Sequence, residues 1–577
     1  MVDFLISVED VASHHFQVEL RLERPQAGQC FSLPVWIPGS YLVREFSRHL
    51  SSLRAEQQGQ PVKLRQLSKN RWQAENLADE PLVLRYRVYA FDSSVRAAYL
   101  AAERGFFNPS SLCLRAEGFE AQPQRLTLAG LPEGWEVGTA LAFDGRCYMA
   151  ADYDELVDHP FELGRFWRGQ FEVEGVPHEF IVAGALPVFD GDRLIEDTRR
   201  LCAAQIAFWH GRHPKRAELP FQRYVFMLNA VEEGYGGLEH RASTALIAAR
   251  RDLPRLGSRE LGDGQVRLLG LISHEYFHSW NVKRLRPVEL ARYDYDAENY
   301  TELLWFFEGF TSYYDELFLV RSGLVDEGRY LKLLATAING MLATPGRKVQ
   351  SLAEASFEAW TKYYRPDENT PNATVSYYGK GALVGLALDL SLRSSGQASL
   401  DEVMRLLWQR SGGGPVSETQ ILDAVAELGG PAAAEELRQW VHGREDPPLA
   451  SLLDHMGVHW AHEPVLLEQK LGLKLGQGLQ IKQVLAGGAA AEAGLCAGDE
   501  LLACNGWRLR KLDEIPLLLD TRDPLKLNLL LAREQRVLSL SLNLPPATAG
   551  QVGAVGLTVA DKVAARAQTL RHAWLGA

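Results

Sequence analysis

From residue 14 to about 185, apolar and polar positions alternate with a period of two. Phe16, Val18, Leu20 and Leu22 interleave with Gln17, Glu19, Arg21 and Glu23, and Leu82, Leu84, Tyr86 and Val88 with Val83, Arg85, Arg87 and Tyr89. Successive side chains of a strand point to opposite faces, so each run predicts a half-buried strand. With turns at Pro38-Gly39, Pro132 and Gly134, these strands predict an antiparallel β-sandwich or saddle-shaped sheet. After Asp190 the period lengthens to that of helices, starting with Leu194 to Trp209 and broken by the strand-like FQRYVFMLNAV. Two pairs with capping-box spacing, Ser399 with Glu402 and Ser417 with Gln420, place later helices, and the helical region runs to about His442. The Pro-containing GREDPPLA marks a boundary. Between about Glu463 and Leu544 short strands return as GLQIKQVL and AGDELLACNGWRL, separated by the small-residue run AGGAAAEAGL, and a last helical pattern runs from Val559 to Trp574.

Composition changes this picture by exclusion. A chain of 577 residues exceeds the size at which one core keeps growing, so three or four domains are expected. The apolar share of 46% and the charged share of 23% are those of an ordinary globular protein. A net charge of -12 argues against a phosphate-binding surface and so against nucleic acid as a partner. The N-terminus MVDFLISVEDVASHHF has an early Asp3 and no basic region, which is not the pattern of a secretory signal, and no run of about 18 uncharged apolar residues follows. Cytoplasmic residence without a membrane span is therefore expected. Six cysteines without CxxC spacing suit reduced thiols, so any metal must use other ligands.

Such ligands are offered by His274-Glu275-Tyr276-Phe277-His278 in the helical pattern RLLGLISHEYFHSWN. Positions four apart share a helix face, so both imidazoles can reach one Zn²⁺ while Glu275 flanks the water to be activated. The motif alone is only moderately specific. Thirty residues on, Glu308 sits among Leu303, Leu304, Trp305, Phe306, Phe307 and Phe310. Burying a carboxylate without a partner costs several kcal/mol, and metal ligation would satisfy it. A glutamate on the solvated side of an amphipathic helix is the alternative.

HEYFHSWN followed by WFFEGFTSYY resembles the gluzincin aminopeptidases. HEYFHSWNVKRLRP, together with LPVWIPGSYLVREF at residues 33 to 46, resembles the glycyl aminopeptidase family with its PDZ domain. The resemblance implies a multidomain α+β protein: an N-terminal β domain over 1–185, a thermolysin-like, mostly helical catalytic domain over 186–455, a PDZ-like domain over 462–545 and a tail with one helix over 546–577. It implies that His274, His278 and Glu308 hold one zinc ion and that Glu275 is the general base. Compared with aminopeptidase N, the stretch between the second histidine and Glu308 is longer by a loop with Lys283, Arg284, Arg286 and Pro287. Those cations read as a solvated face or partners of a helix C-terminus.

Gly236-Gly237-Leu238-Glu239-His240 is similar to the GxMEN sequence of aminopeptidase N, which implies that Glu239, with Gly236 and Gly237, binds the substrate's α-amine; a plain glycine turn is the alternative. Tyr377-Tyr378-Gly379-Lys380-Gly381-Ala382 resembles the YxKG segment, which implies that Tyr378 donates to the oxyanion; simple packing of both tyrosines is the alternative. In the PDZ-like part, Leu471-Gly472-Leu473 would cradle a peptide carboxylate. The implied activity is removal of small N-terminal residues, glycine or alanine, from peptides with a free N-terminus. A gluzincin endopeptidase, or a PDZ adaptor for protein C-termini with a vestigial peptidase, are the competing readings.

Overall fold

The computed structural model describes residues 1–519, 525–545 and 553–576. Contacts divide the chain into two units, one of residues 1–300, 314–324 and 407–417, the other of residues 301–313, 325–406 and 418–577.

The first unit opens with an eight-stranded sheet in which Val2–Asp10, His15–Leu22, Leu82–Tyr89 and Leu50–Gln57 are consecutive neighbours. Phe16, Val18, Leu20 and Leu22 are fully buried, as are Leu82 and Leu84 on the paired strand, so the period of two was a true report of the core face. Two four-stranded sheets complete this β-rich part around the same core. The antiparallel pattern expected to about residue 185 has two exceptions among the described strands: Val2–Asp10 pairs in parallel with Gln124–Ala129, and Val176–Ala183 with Tyr224–Val231. Parallel pairing needs a long crossover, and no local pattern announces it.

The same unit holds a five-stranded sheet ordered Trp167–Val173, Val176–Ala183, Tyr224–Val231, Ser243–Ala249 and Tyr235–Glu239. Tyr235–Glu239 is its edge and pairs antiparallel with Ser243–Ala249. Helix Asp263–Phe277 buries Leu268, Leu269, Ile272, Tyr276 and Phe277.

In the second unit, helix Gly379–Ser395 is apolar nearly all round, as a helix enclosed by others must be. The predicted helix ending near His442 is Glu418–His442, kinked at Gly430-Pro431, where proline cannot continue the ladder. Strand Val458–Glu463 then pairs with Ala554–Val559 as a two-stranded ribbon. Between the ribbon's legs lies a small β module with its own core, including Leu471, Leu473, Ile481, Leu501, Leu527 and Leu529. The last helix is Ala565–Leu575; the tail residues 546–552 fall outside the described set. Among the described residues no helix is long and apolar enough to cross a membrane.

Candidate metal centre and substrate cleft

His274 occupies the last turn of helix Asp263–Phe277 and His278 caps it. Their rings stand at 89° with the two Nε2 atoms 3.0 Å apart. The Nδ1 of His278 lies 2.7 Å from the Asn281 carbonyl, and that of His274 lies 2.9 Å from the Asp315 carboxylate. A carbonyl or an ionised carboxylate only accepts, so each Nδ1 carries the proton and each neutral ring turns an Nε2 lone pair toward the other. Two lone pairs at that distance repel unless a cation lies between them. Glu308 supplies the anionic donor: it is 1% exposed, lies in the π-helical turn Trp305–Phe310, and its carboxylate groups with the histidine nitrogens within 4.8 Å of one another. Two imidazoles and one carboxylate, each imidazole oriented by an acceptor behind it, fit a tetrahedral zinc site with one position open.

Glu275 is 5% exposed and lies against the edge strand: a Cβ on Gly237 would fall 2.1 Å from its Oε1. Glycine is what lets this carboxylate reach the strand. Glu239, at the end of the same strand, is also buried, and a Cβ on Gly39 would fall 2.4 Å from its Oε1. Gly39 has φ +91° in the tight turn closed by the Ser40 amide donating to the Ile37 carbonyl at 3.1 Å.

Behind Glu239, the Asp158 carboxylate receives Lys283 Nζ at 3.0 Å, His240 Nδ1 at 3.1 Å and Arg241 Nε at 3.3 Å. Burial works to raise the Asp158 carboxyl, but Lys283, His240 and Arg241 hold it well below its ordinary value. Burial likewise works to lower the Lys283 ammonium, and the charges of Asp158 and Glu239 keep it raised. Of the two readings of Lys283, Arg284 and Arg286, the solvated face is corrected, while the Arg284 bond to the Ser279 carbonyl beside the end of helix Asp263–Phe277 accords with the other. Lys283 is 4% exposed, Arg284 donates to the carbonyls of Arg241, Ser279 and Pro220, and Arg286 stacks over Tyr293. Each had a specific acceptor or ring elsewhere in the chain, which a short basic run does not reveal.

Tyr378 immediately precedes helix Gly379–Ser395, and burial together with the charge of Glu308 pushes its phenol well above the ordinary value. It stacks on Tyr377, centroids 4.7 Å apart, and both rings meet Tyr363. The π-helical turn packs on this helix so closely that a Cβ on Gly309 would fall 2.6 Å from the Gly381 Cα. Leu471-Gly472-Leu473 lies apart from these residues in sequence and in module. Gly472, at φ +70°, ends helix Leu467–Leu471 and gives its amide to the Glu468 carbonyl at 2.9 Å. That amide is already committed to a helix cap.

The sequence marks Gly39 only as part of a turn and gives no role to Asp158, Asp315 or Tyr363. Asp315 had a signal, since it lies seven residues after Glu308 and so on the same helix face. Asp158 had none.

A histidine pair grouped with a buried glutamate, next to a second buried carboxylate, is a donor set suited to hydrolytic zinc chemistry. Family models match in three places: M61 glycyl aminopeptidase over residues 267–384, the peptidase M61 N-terminal domain over 3–165 and the PDZ domain over 463–530. Among solved structures, an aminopeptidase N family protein from Idiomarina loihiensis is 35% identical over 100% of both chains, with a TM-score of 0.91. An M1 zinc metallopeptidase from Deinococcus radiodurans is 18% identical, over 78% of this chain and 94% of its own, with a TM-score of 0.49. No curated protein matches. The chain belongs to the M61 glycyl aminopeptidase family.

Proposed function

We propose that this enzyme is a zinc-dependent aminopeptidase that removes small N-terminal residues, glycine or alanine, from peptides. The observation that carries the reading is the grouping of His274, His278 and Glu308 within 4.8 Å, with both histidine Nδ1 atoms tied to acceptors so that both Nε2 lone pairs face inward. One Zn²⁺ held there would acidify a water and polarise the scissile carbonyl. Glu275 takes the proton from that water and later returns it to the leaving amine. Glu239 pairs with the substrate ammonium, which limits cleavage to the first peptide bond. Tyr378 donates its phenol proton to the oxyanion; its raised pKa keeps it protonated and able to do so. The preference for small residues rests on the family.

Two measurements test the reading. Purified protein should contain one zinc per chain, and His278→Ala should lose it. Glycyl and alanyl anilides should be cleaved and their N-acetyl forms spared. Full activity of His278→Ala would exclude the zinc site, and cleavage of blocked and internal bonds would exclude the aminopeptidase reading and favour an endopeptidase.

A further inference from the structure

Arg96 stands beside the strand that ends in Glu239, and most of its donors have no acceptor among the described residues. It lies in the loop between Leu82–Tyr89 and Ala98–Leu100, fixed by Asp92 accepting the Ser94 amide at 2.8 Å and the Ser94 hydroxyl accepting the Arg96 amide at 3.3 Å. Its Nη2 donates to the Gly237 carbonyl at 3.3 Å, and a Cβ on Gly236 would lie 3.9 Å from Nη2 and 4.0 Å from Nη1. Its Nε is buried without a hydrogen-bond partner, and no carboxylate of the described residues pairs with the guanidinium. A guanidinium carries five donors in a rigid fork that matches a carboxylate. Nη2 gives one hydrogen to the Gly237 carbonyl, and the remaining Nη donors have no acceptor among the described residues, so they can meet a carboxylate that arrives from outside the chain.

The direction of the strand says which acceptor. Tyr235–Glu239 is an edge strand, and the Gly237 carbonyl points off its open side, because Arg96 reaches it there. In an antiparallel ladder the N–H and C=O of one residue point the same way, so the Gly237 N–H faces that open side too. A peptide with its ammonium at Glu239 that extends along this edge runs back toward Tyr235. Two residues of extended chain span roughly 7 Å, which is the distance from the level of Glu239 to that of Gly237. The end of the second residue thus comes level with Arg96. Glu275 also lies against Gly237, within one residue's rise of the bond between the first and second residues.

We propose that Arg96 binds the free α-carboxylate of a dipeptide, so that the site selects dipeptides with a small first residue over longer or amidated chains. This rests on the reading of Glu239 as the ammonium site. The full-length zinc enzyme is assayed on Gly-Ala, Gly-Ala-NH2 and Gly-Asp-NH2. Gly-Ala should exceed Gly-Ala-NH2 in kcat/KM by about ten- to a hundred-fold, the range that hydrogen bonds to charged partners contribute, and mainly through KM. In Arg96→Ala the ratio should fall close to one, and Arg96→Lys should restore part of it. A ratio near one in the wild type, or a ratio that survives in Arg96→Ala, overturns the proposal. The wild-type ratio needs no variant to fold. An advantage of Gly-Asp-NH2 equal to that of Gly-Ala would assign Arg96 to an acidic side chain and overturn the main-chain carboxylate. Failure of the underlying reading has its own signature: N-acetyl-Gly-Ala is then cut as well as Gly-Ala, whatever the acid-to-amide ratio.

Discussion

Gly39 and Gly237 each make room for a carboxylate. A methyl group at Gly39 would fall 2.4 Å from Glu239 and would also strain a backbone at φ +91°. Gly39→Ala should therefore displace Glu239 and raise KM for glycyl substrates about ten-fold or more, with zinc content unchanged; an unchanged KM would separate this turn from substrate binding. Glu275→Gln should keep zinc and lose turnover by about two to four powers of ten, the usual reach of general acid-base catalysis, as measured by kcat on a glycyl anilide. Asp315 acts through His274, whose Nδ1 proton it accepts at 2.9 Å. Asp315→Asn should weaken zinc about ten- to a hundred-fold, read by competition with a chelator. The histidines with Glu275 were legible as residue types at a helical spacing, and Glu308 as a carboxylate in an apolar run. The glycines' part was not, because Gly39 meets a side chain 200 positions away.

At the level of elements, the placement of Glu308 depends on how closely the π-helical turn Trp305–Phe310 approaches helix Gly379–Ser395. The atoms that a methyl on Gly309 would strike are the Gly381 Cα at 2.6 Å and the Tyr377 carbonyl at 2.8 Å, and backbone cannot step aside as a side chain can. Gly309→Ala should thus lower zinc stoichiometry and stability together, while Gly340→Ala, inside helix Glu327–Leu342 with nothing within 4 Å of the new methyl, should keep zinc and raise stability slightly. A second element carries a pH dependence. His178, on strand Val176–Ala183, is buried with Nδ1 2.9 Å from the Val176 carbonyl and Nε2 2.9 Å from the Tyr276 hydroxyl. Burial pushes its pKa down from 6.5 to about 4. Above pH 6.5 the ring is neutral in folded and unfolded chains alike. Between 6.5 and 4 only the unfolded chain takes up the proton, so stability falls with pH, by on the order of 3 kcal/mol across the window. Denaturant midpoints at pH 7 and pH 5 should differ more in the wild type than in His178→Gln.

Across the whole chain, the last helix, Ala565–Leu575, is tied into the helical part of the second unit. Trp574 is fully buried and donates to the Tyr313 hydroxyl at 2.9 Å, which donates to Asp389 at 2.6 Å; Arg393 donates to the Ala573 carbonyl at 2.9 Å. Asn339 holds Val555 by both its amide groups, accepting the Val555 N–H at 2.7 Å and donating to its carbonyl at 2.9 Å. Asn372 does the same for the small module, donating to the Val484 carbonyl and accepting the Ala486 amide. A chain ended near Ala450 would thus leave a buried tyrosine, an aspartate and apolar surface uncovered, and should be insoluble or strongly destabilised. Excision is the better cut. Glu463 and Ala554 are opposite partners at the ribbon's end, so replacing residues 464–553 by a two-residue Asn-Gly turn closes a hairpin in register. That variant should fold by circular dichroism, bind zinc and cleave a one-residue anilide. A folded, zinc-loaded but inactive product would show that the module takes part in the chemistry.

The sequence by itself determined which strands bury which faces, because alternation is a local record of a buried face, and it determined that His274 and His278 look the same way, because a helix turns a spacing of four into a shared face. Only the tertiary structure decided what stands behind those donors. The parallel pairing of Val2–Asp10, the Asp158 cluster behind Glu239, the cation at Arg96 and the anchoring of Trp574 each join residues 82 or more positions apart. Such contacts are set by how layers pack, and a chain carries no local period for a partner that packing chooses.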